Sequence, residues 1–561
     1  MFEEQGEVEE IGIGILITLN KLNGKPPVIN NTRPITLLNM IRKILSNIVL
    51  ARIQDIIFIY VSASQSAFKP KRSTSDVVWT YRWIMAMTQK YQQELFIMGI
   101  DLSKAFDCID RKLLMDTLEE LLQDKPSEFR IIKYLMYNTT LTARLQGKYG
   151  ETFKTTLGIP QGDGLSPALF IIYLQAAVNY HRNKQRMSDP NYGKNTQITH
   201  YADDTDFISA EYGALFSTSL LLPEDLKHYN LQMNPEKTEW TTINPTTCKS
   251  LTTKKLGTRL SQQVDINTRI VQGRKAFGVM NKIWINQKQV SPKTKVFLYN
   301  MFVKSVLTYN TSCLGLSAQQ LKNFDSTHRK QLRLLSNIYY PKHITNYDLY
   351  KKCNQKPLHL DITKYRWRLL GHILRLDDDV PAHKIMETYF ENPNRHKTRK
   401  GRGPNNLPTQ LHNDLRLIGM QLQTTRDLND LWTIAQDRKE WQKLTERIMR
   451  IKRKQAWENL REMELRGREH RTRKKARGRR VEIPNIMDND EKNRPKRPRI
   501  ILTAYTPQIL RLNLKRMRQE AELIDTEDFF RTPPNLRRPL AEAPNGGESF
   551  VDRILDAYAF V

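Results

Sequence analysis

Along the first 265 residues the apolar positions keep two rhythms. GIGILITL, ELFIMGIDL, LTARLQGKYGETFKTTLG and TQITHYADDTDFIS read as strands, while the runs between them follow a helical period. This mixture predicts an α+β domain. From 266 to about 345 the period becomes helical. Ser291 and Pro292 make an N-cap and first-turn pair before KTKVFLYNMFVKSVL, and Ser317 caps AQQLKNFDSTHRKQLRLLSNIY. Residues 346–445 hold further helical pieces, ITKYRWRLLGHILRL and LNDLWTIAQDRKEWQKL, separated by the Gly/Pro/Asn/basic linker NPNRHKTRKGRGPNNLP. Beyond 445 the composition shifts: Thr445 to Arg480 contains fifteen Lys/Arg and five Glu, and 481–561, rich in Pro, Asn and Arg, reads as largely disordered. The expected divisions are therefore 1–265, 266–345, 346–445 and 446–561.

Charge narrows the choice of partner. The chain has 89 Lys+Arg against 59 Asp+Glu, a net charge of +30, which points to a polyanion and to nucleic acid ahead of a membrane surface. The run RTRKKARGRR, 471–480, reads equally as a nucleic-acid-binding arm or nuclear localisation signal and as a solvated charged helix. Cysteines at 108, 248, 313 and 353 form no CxxC pair, so neither a disulfide framework nor a zinc knuckle is indicated. No run approaches the ~18 apolar residues of a spanning helix. The N-terminus MFEEQGEVEE is acidic where a signal or transit peptide is basic. The expectation is a nuclear or cytosolic protein with no membrane partner.

Candidate chemistry begins at HYADDTDFIS, where Asp203 and Asp204 interrupt a strand. Adjacent carboxylates repel and face one site only in or beside a tight hairpin. The stretch alone leaves two readings open, a solvated Asp-Asp turn and a metal site. A possible third carboxylate is Asp101, which ends the apolar strand LFIMGI, where a charge is costly without a partner. Asp110 caps a helix whose apolar positions are 113, 114, 118, 121 and 122, so Asp107 and Asp110 need no further role. GIPQGDGLSPALFIIYL joins a Gly-rich loop (Gly158, Gly162, Gly164) to an apolar helix, an arrangement that lets backbone approach phosphate or sugar.

In that order, IDLSKAFD, GIPQGDGLSP and YADD resemble motifs A, B and C of the reverse transcriptases, most closely those of non-LTR (LINE-type) retrotransposons. NTRPITLLNMIRKILSNIVLARI resembles the fingers motif and QSAFKPKRSTSDVV the QxGFRPxRST pattern, with Lys71 where that pattern has Gly. LQMNPEKTE and KKLGTRL are similar to motifs D and E, and RWRLLGHILRL with AQDRKEW to segments after the thumb. The resemblance covers roughly residues 15 to 445.

What it implies is a right-hand polymerase of fingers, palm with antiparallel sheet and helical thumb, followed by a helical, basic C-terminal region. The implied activity is RNA-directed DNA polymerisation on an RNA template from a DNA primer and dNTPs, with two Mg2+ ions (Mn2+ as substitute) on Asp101, Asp203 and Asp204. Carried over by position, Phe106 selects dNTPs or is a core aromatic. Gln161 and Gly162 lie along the nucleotide. Arg33 and Lys21 hold the triphosphate. Lys237 protonates pyrophosphate or is a surface lysine, and Tyr201 and Ala202 lie near the primer end. ITLNKLNGK departs from the family's Ile-Pro-Lys, so the register of Lys21 is open. The expectation is a chain lacking the endonuclease domain that many such elements carry, located in the nucleus, with ribonucleoprotein assembly in the cytoplasm. Two other readings stay open: a decayed or domesticated element protein that only binds RNA, and an RNA-dependent RNA polymerase.

Overall fold

A strand that is apolar on both faces requires cover on both sides, and this requirement organises the fold. In the computed structural model, which describes residues 9–20, 32–145, 147–246, 251–281, 289–391 and 405–478, β1 (Ile13–Asn20) and β2 (Thr32–Leu38) come first. β3 is Leu95–Ile100, the LFIMGI run. The hairpin β4 (Thr140–Leu145) and β5 (Lys148–Lys154) follows, then β6 (Thr196–Tyr201), β7 (Asp204–Ser209) and β8 (Glu239–Ile243). β6, β7, β3 and β8 form an antiparallel sheet in that order. A second sheet, β2-β1-β4-β5, contains one parallel pairing, β1 with β4.

β3 sends Met98 and Ile100 into a core with Leu114, Leu118 and Phe170 on one face. Ile97 goes to a different core on the other face. β7 divides in the same way, Phe207 to the first core and Ile208 to the second. The first face is covered by the helices Met40–Tyr60, Arg111–Leu121 and Ser166–Ser188. The second is covered by the Thr74–Tyr91 helix, whose residues are buried almost all round because its outer side is covered in turn.

That outer cover comes from the C-terminal half. Trp83, fully buried, meets the rings of Tyr389 and Phe390 edge-on at centroid distances of 4.9 and 5.7 Å. Trp367, Leu370, Leu411, Leu428 and Trp441 share one core with Trp79, Trp83 and Ile97. The stretch expected as a separate helical division, 346–445, is thus a layer on the back of the sheet. The physical reason is the apolar surface on both sides of the Thr74–Tyr91 helix, which neither the sheet nor the C-terminal helices bury alone.

The caps read from sequence form as expected. Asp110 Oδ1 accepts from the Lys112 and Leu113 amides, Ser291 Oγ from the Thr294 amide, and Ser317 with Gln320 closes a capping box. KTKVFLYNMFVKSVL is not one regular helix: a π-helical turn at Asn300–Lys304 separates Pro292–Tyr299 from Ser305–Thr308. A 41-residue helix, Arg438–Gly478, runs straight through the division expected at 445/446. The tail 481–561 lies outside the described residues, as do the side chains of RTRKKARGRR. Among the described residues no helix is long and apolar enough to cross a membrane.

Because one core serves both halves, Trp83→Ala is expected to destabilise the fold by about 3–5 kcal/mol. Amide exchange should quicken in both 95–100 and 366–374. Faster exchange confined to one of the two segments would refute the shared core.

Candidate active site

The sheet register gathers the carboxylates. Ile100 pairs with Thr205 and Tyr201 with Asp204, so the next step along β3 brings Asp101 level with Asp204 at the sheet's end. Ala202 and Asp203 form the two-residue turn of the β6–β7 hairpin. Asp203 is raised above the ordinary carboxylate range by desolvation and then by Asp101, with Arg33 and Lys237 opposing. Asp204 opens to the cleft, yet the protein crowded around it, followed by Asp203, Asp206 and Asp101, pushes its carboxyl up to about 6. Of the two adjacent-aspartate readings, the turn is therefore present as geometry, and its charges are incompletely neutralised.

The turn is clamped from outside the hairpin. Ala202 has φ +56°, a left-handed conformation that costs a non-glycine residue on the order of 1–2 kcal/mol. Gln65, 2% exposed, holds it: its Oε1 accepts from the Ala202 amide at 3.0 Å and its Nε2 donates to the Ala202 carbonyl at 3.4 Å. The same Oε1 accepts from the Ala67 amide at 2.9 Å. The His200 amide donates to the Ser64 carbonyl, and the Ser66 amide to the His200 carbonyl.

A second group of candidates gathers on the Gly-rich loop. Phe106 stacks on Phe170 at 4.3 Å and is half-buried, so it is at least the core aromatic allowed by the sequence. Gln161 donates through Nε2 to Asp107 Oδ1 at 2.9 Å, giving Asp107 the partner that its sequence context did not suggest. The Thr36 amide donates to the Gln161 carbonyl at 2.6 Å, and a Cβ at Gly162 (φ +131°) would run into the Thr36 carbonyl. Glycine is what lets the loop lie against β2. Two buried arginines fix the loop from below. Arg42 donates through Nε to Asp163 at 2.9 Å, with both groups wholly buried, and Arg111 donates to the Gly158 carbonyl at 2.8 Å.

The remaining candidates divide. Lys237, on the short turn Pro235–Lys237, places Nζ 2.7 Å from Asp101 Oδ2. Arg33 on β2 is exposed and acts on Asp203 through space. Tyr201 closes β6, half-buried between the two cores. Lys21 lies outside the described residues. A cavity of about 330 Å³ is lined by Asp101, Tyr201, Asp204, Asp206, Lys237 and Lys255. A separate cavity of about 200 Å³ holds Thr36, Asp107, Gly158 and Gln161. The carboxylates and the loop thus line different cavities.

Sequence reading missed the groups supporting this edge. Asp206, two residues beyond Asp204, pairs with Lys255 at 2.6 Å and accepts from the Tyr81 hydroxyl. Gly99, across the strands, leaves the room that a side chain would take from the pair. The available signal was a third acid at 206, just before the apolar pair Phe207–Ile208 of the same strand.

A divalent cation suits this donor set. Three hard carboxylates share one sheet end: Asp101 raises the pKa of Asp203 and of Asp204, Asp203 raises that of Asp204, and Arg33, Lys237 and Lys255 are the cations that oppose them. Among the described residues, however, no three acidic, imidazole or thiol groups stand close enough to close on one ion, and Lys237 occupies one oxygen of Asp101.

Comparison with known proteins supplies the remaining context. Residues 22–264 match the family model described as reverse transcriptase (RNA-dependent DNA polymerase). The chain is 38% identical over 85 residues to the COX1/OXI3 intron 2 protein of Saccharomyces cerevisiae, a match covering 15% of this chain and 9% of that protein. Among solved structures, telomerase from Candida albicans in complex with a fragment of telomeric RNA is 12% identical, covering 68% of this chain and 62% of its own, with a TM-score of 0.38. Apo telomerase from Candida tropicalis is 12% identical, covering 68% and 67%, with a TM-score of 0.37. The architecture is mixed α+β, with two four-stranded sheets among the described residues, and the segment 22–264 is what is similar to the reverse transcriptase model.

Two substitutions separate the supports of this edge. Arg42→Met strands Asp163 in the interior and is expected to cost about 3–5 kcal/mol, read by urea unfolding. Gln65→Leu leaves the Ala202 backbone groups unpaired at about 1–3 kcal/mol, with faster amide exchange centred on 201–204. Unchanged exchange in that turn would show that Gln65 does not hold it.

Proposed function

We propose that this chain is an RNA-directed DNA polymerase of the non-LTR retrotransposon type, extending a DNA primer on an RNA template with dNTPs. The observation that carries the reading is the β3–β7 register, which brings Asp101 beside the Asp203–Asp204 turn inside the segment that matches the reverse transcriptase model.

In this reading Asp101, Asp203 and Asp204 would hold two Mg2+ ions, with Mn2+ as a substitute. Bound there, the ions would lower the pKa of the primer 3′-hydroxyl and neutralise charge on the leaving pyrophosphate. The chain's own groups do the rest. Arg33, exposed on β2, is placed to meet triphosphate oxygens, and Lys21 is assigned the same task by resemblance. Gln161 and Gly162 present the loop along the nucleotide, with Asp107 fixing the Gln161 carboxamide. Phe106 closes the space beside the sugar, where a ring stacked on Phe170 disfavours a 2′-hydroxyl. Lys237, which donates to Asp101 Oδ2, would be the group that gives its Nζ proton to the pyrophosphate oxygen. Gln65 and the Asp206–Lys255 pair keep the turn and the sheet edge in register. The basic composition fits a nuclear protein that also assembles with RNA in the cytoplasm.

One observation favours a second reading, a chain that binds RNA without polymerising: Lys237 already neutralises Asp101, and no three ligand groups converge among the described residues.

Primer extension on an RNA template decides between them. dNTP incorporation with Mg2+ or Mn2+ is expected, and Asp203→Asn or Asp204→Asn should reduce it by more than the roughly 10–100-fold that loss of an outer-shell partner costs. RNA retention on a filter with no incorporation, or full activity in both variants, would overturn the polymerase reading.

A further inference from the structure

We infer that the groove between the Leu358–Ile373 helix and the Arg438–Gly478 helix is a docking surface for the phosphodiester backbone of double-stranded nucleic acid. The groove, of about 560 Å³, is lined by five cations, Lys364, Lys443, Arg447, Arg450 and Arg453, and by one acid, Glu446. Among the described residues, Lys364, Arg447, Arg450 and Arg453 make no ion pair, and Lys443 pairs only with the exposed Glu440. The Lys364 ammonium is lowered by burial and then by Arg368 and Lys356, with Asp361 opposing and Arg453 adding to the crowding. Unpaired cations held this close repel one another and await an anion.

The walls are built, not mobile. Trp441 donates through Nε1 to the Trp367 carbonyl at 3.0 Å, and its indole leaves no room for a side chain at Gly371. Leu360 packs with Met449 and Ala456, and Lys452 reaches the buried Asp414 at 2.6 Å. Lys443, Arg447 and Arg450 follow one another at helical spacing along one face. From the first to the third the rise is about 10.5 Å, the axial rise of roughly three phosphates of one strand.

The lining also decides what kind of nucleic acid. Single-strand grooves interleave cations with aromatic side chains on which bases stack. This lining has no aromatic residue and one apolar one, Met449, so it offers phosphate contacts and no base contacts. It likewise lacks the aromatic anchor around which an acidic protein partner would pack. The inference takes from the polymerase reading only that the partner is nucleic acid.

The test measures binding of the full chain to a roughly 20-base-pair DNA duplex and to an RNA–DNA hybrid, by fluorescence anisotropy across a salt series. The triple variant Arg447→Gln, Arg450→Gln, Arg453→Gln is expected to bind about tenfold or more weakly. Its slope of log K against log salt should be shallower by about 0.9 per lost contact. On the unaltered chain, duplex should protect Lys364 and Lys443 from amine acylation, a readout independent of any variant's folding. The inference is overturned if slope and protection are both unchanged, or if anionic phospholipid vesicles and not duplexes show the loss. A chain that extends no primer yet shows the slope change loses the polymerase reading and keeps the groove. One that extends primer with neither the slope change nor the protection does the reverse.

Discussion

Burial of β3 on both faces is the constraint from which the rest of the molecule follows. A six-residue strand with no polar face demands a helical layer above and below, and where it runs out of apolar residues the chain places Asp101. The antiparallel partner β7 starts at the matching level with Asp204. Sheet geometry and charge placement are thus one decision: the carboxylates collect where the cores end and water begins.

That edge is electrostatically strained, and the strain is contained by groups set back from it. Gln65 pins a backbone conformation that alanine adopts reluctantly, while Arg42, Arg111 and the Asp206–Lys255 pair fix the loop and strands on either side. Gln65, Arg42 and Arg111 are buried and hydrogen-bonded, so they hold a conformation without needing to touch a substrate, whereas the Asp206–Lys255 pair also lines the cavity. The exposed groups, Arg33 and Lys237, keep the freedom to change partners. Rigid support beneath movable cations is an arrangement suited to repeated binding and release of a polyphosphate.

Much of this was legible in the sequence, where the signal was local. The apolar run 95–100, the caps at Asp110 and Ser317 and the hairpin around 201–204 all formed, because each depends on residues a few positions apart. Gln65 was marked only as the first residue of the QSAFKPKRSTSDVV motif, and its role was not legible: its partner is a backbone 137 residues away, and backbone groups carry no sequence signal. Arg42 gave a faint one, a cation on the buried stripe with Ser46, Val49, Ile53 and Ile57, and its partner lies 121 residues on. Asp107 was given no further role beside the Asp110 cap, and its partner, Gln161, lies 54 residues on. The division at 346 misled for a related reason: amphipathic helices predict that a face is buried, and say nothing about what buries it.

The shared core behind the sheet has a consequence for how this chain can be divided. A fragment ending at 345 would keep every residue assigned to chemistry, yet it would leave the outer side of Trp79 and Trp83 in water and remove the ring contacts of Tyr389 and Phe390. An exposed apolar face of that kind drives association between fragments. For this protein the smallest unit that can bury its own core is set by hydrophobic area, and it is much longer than the motifs that mark it.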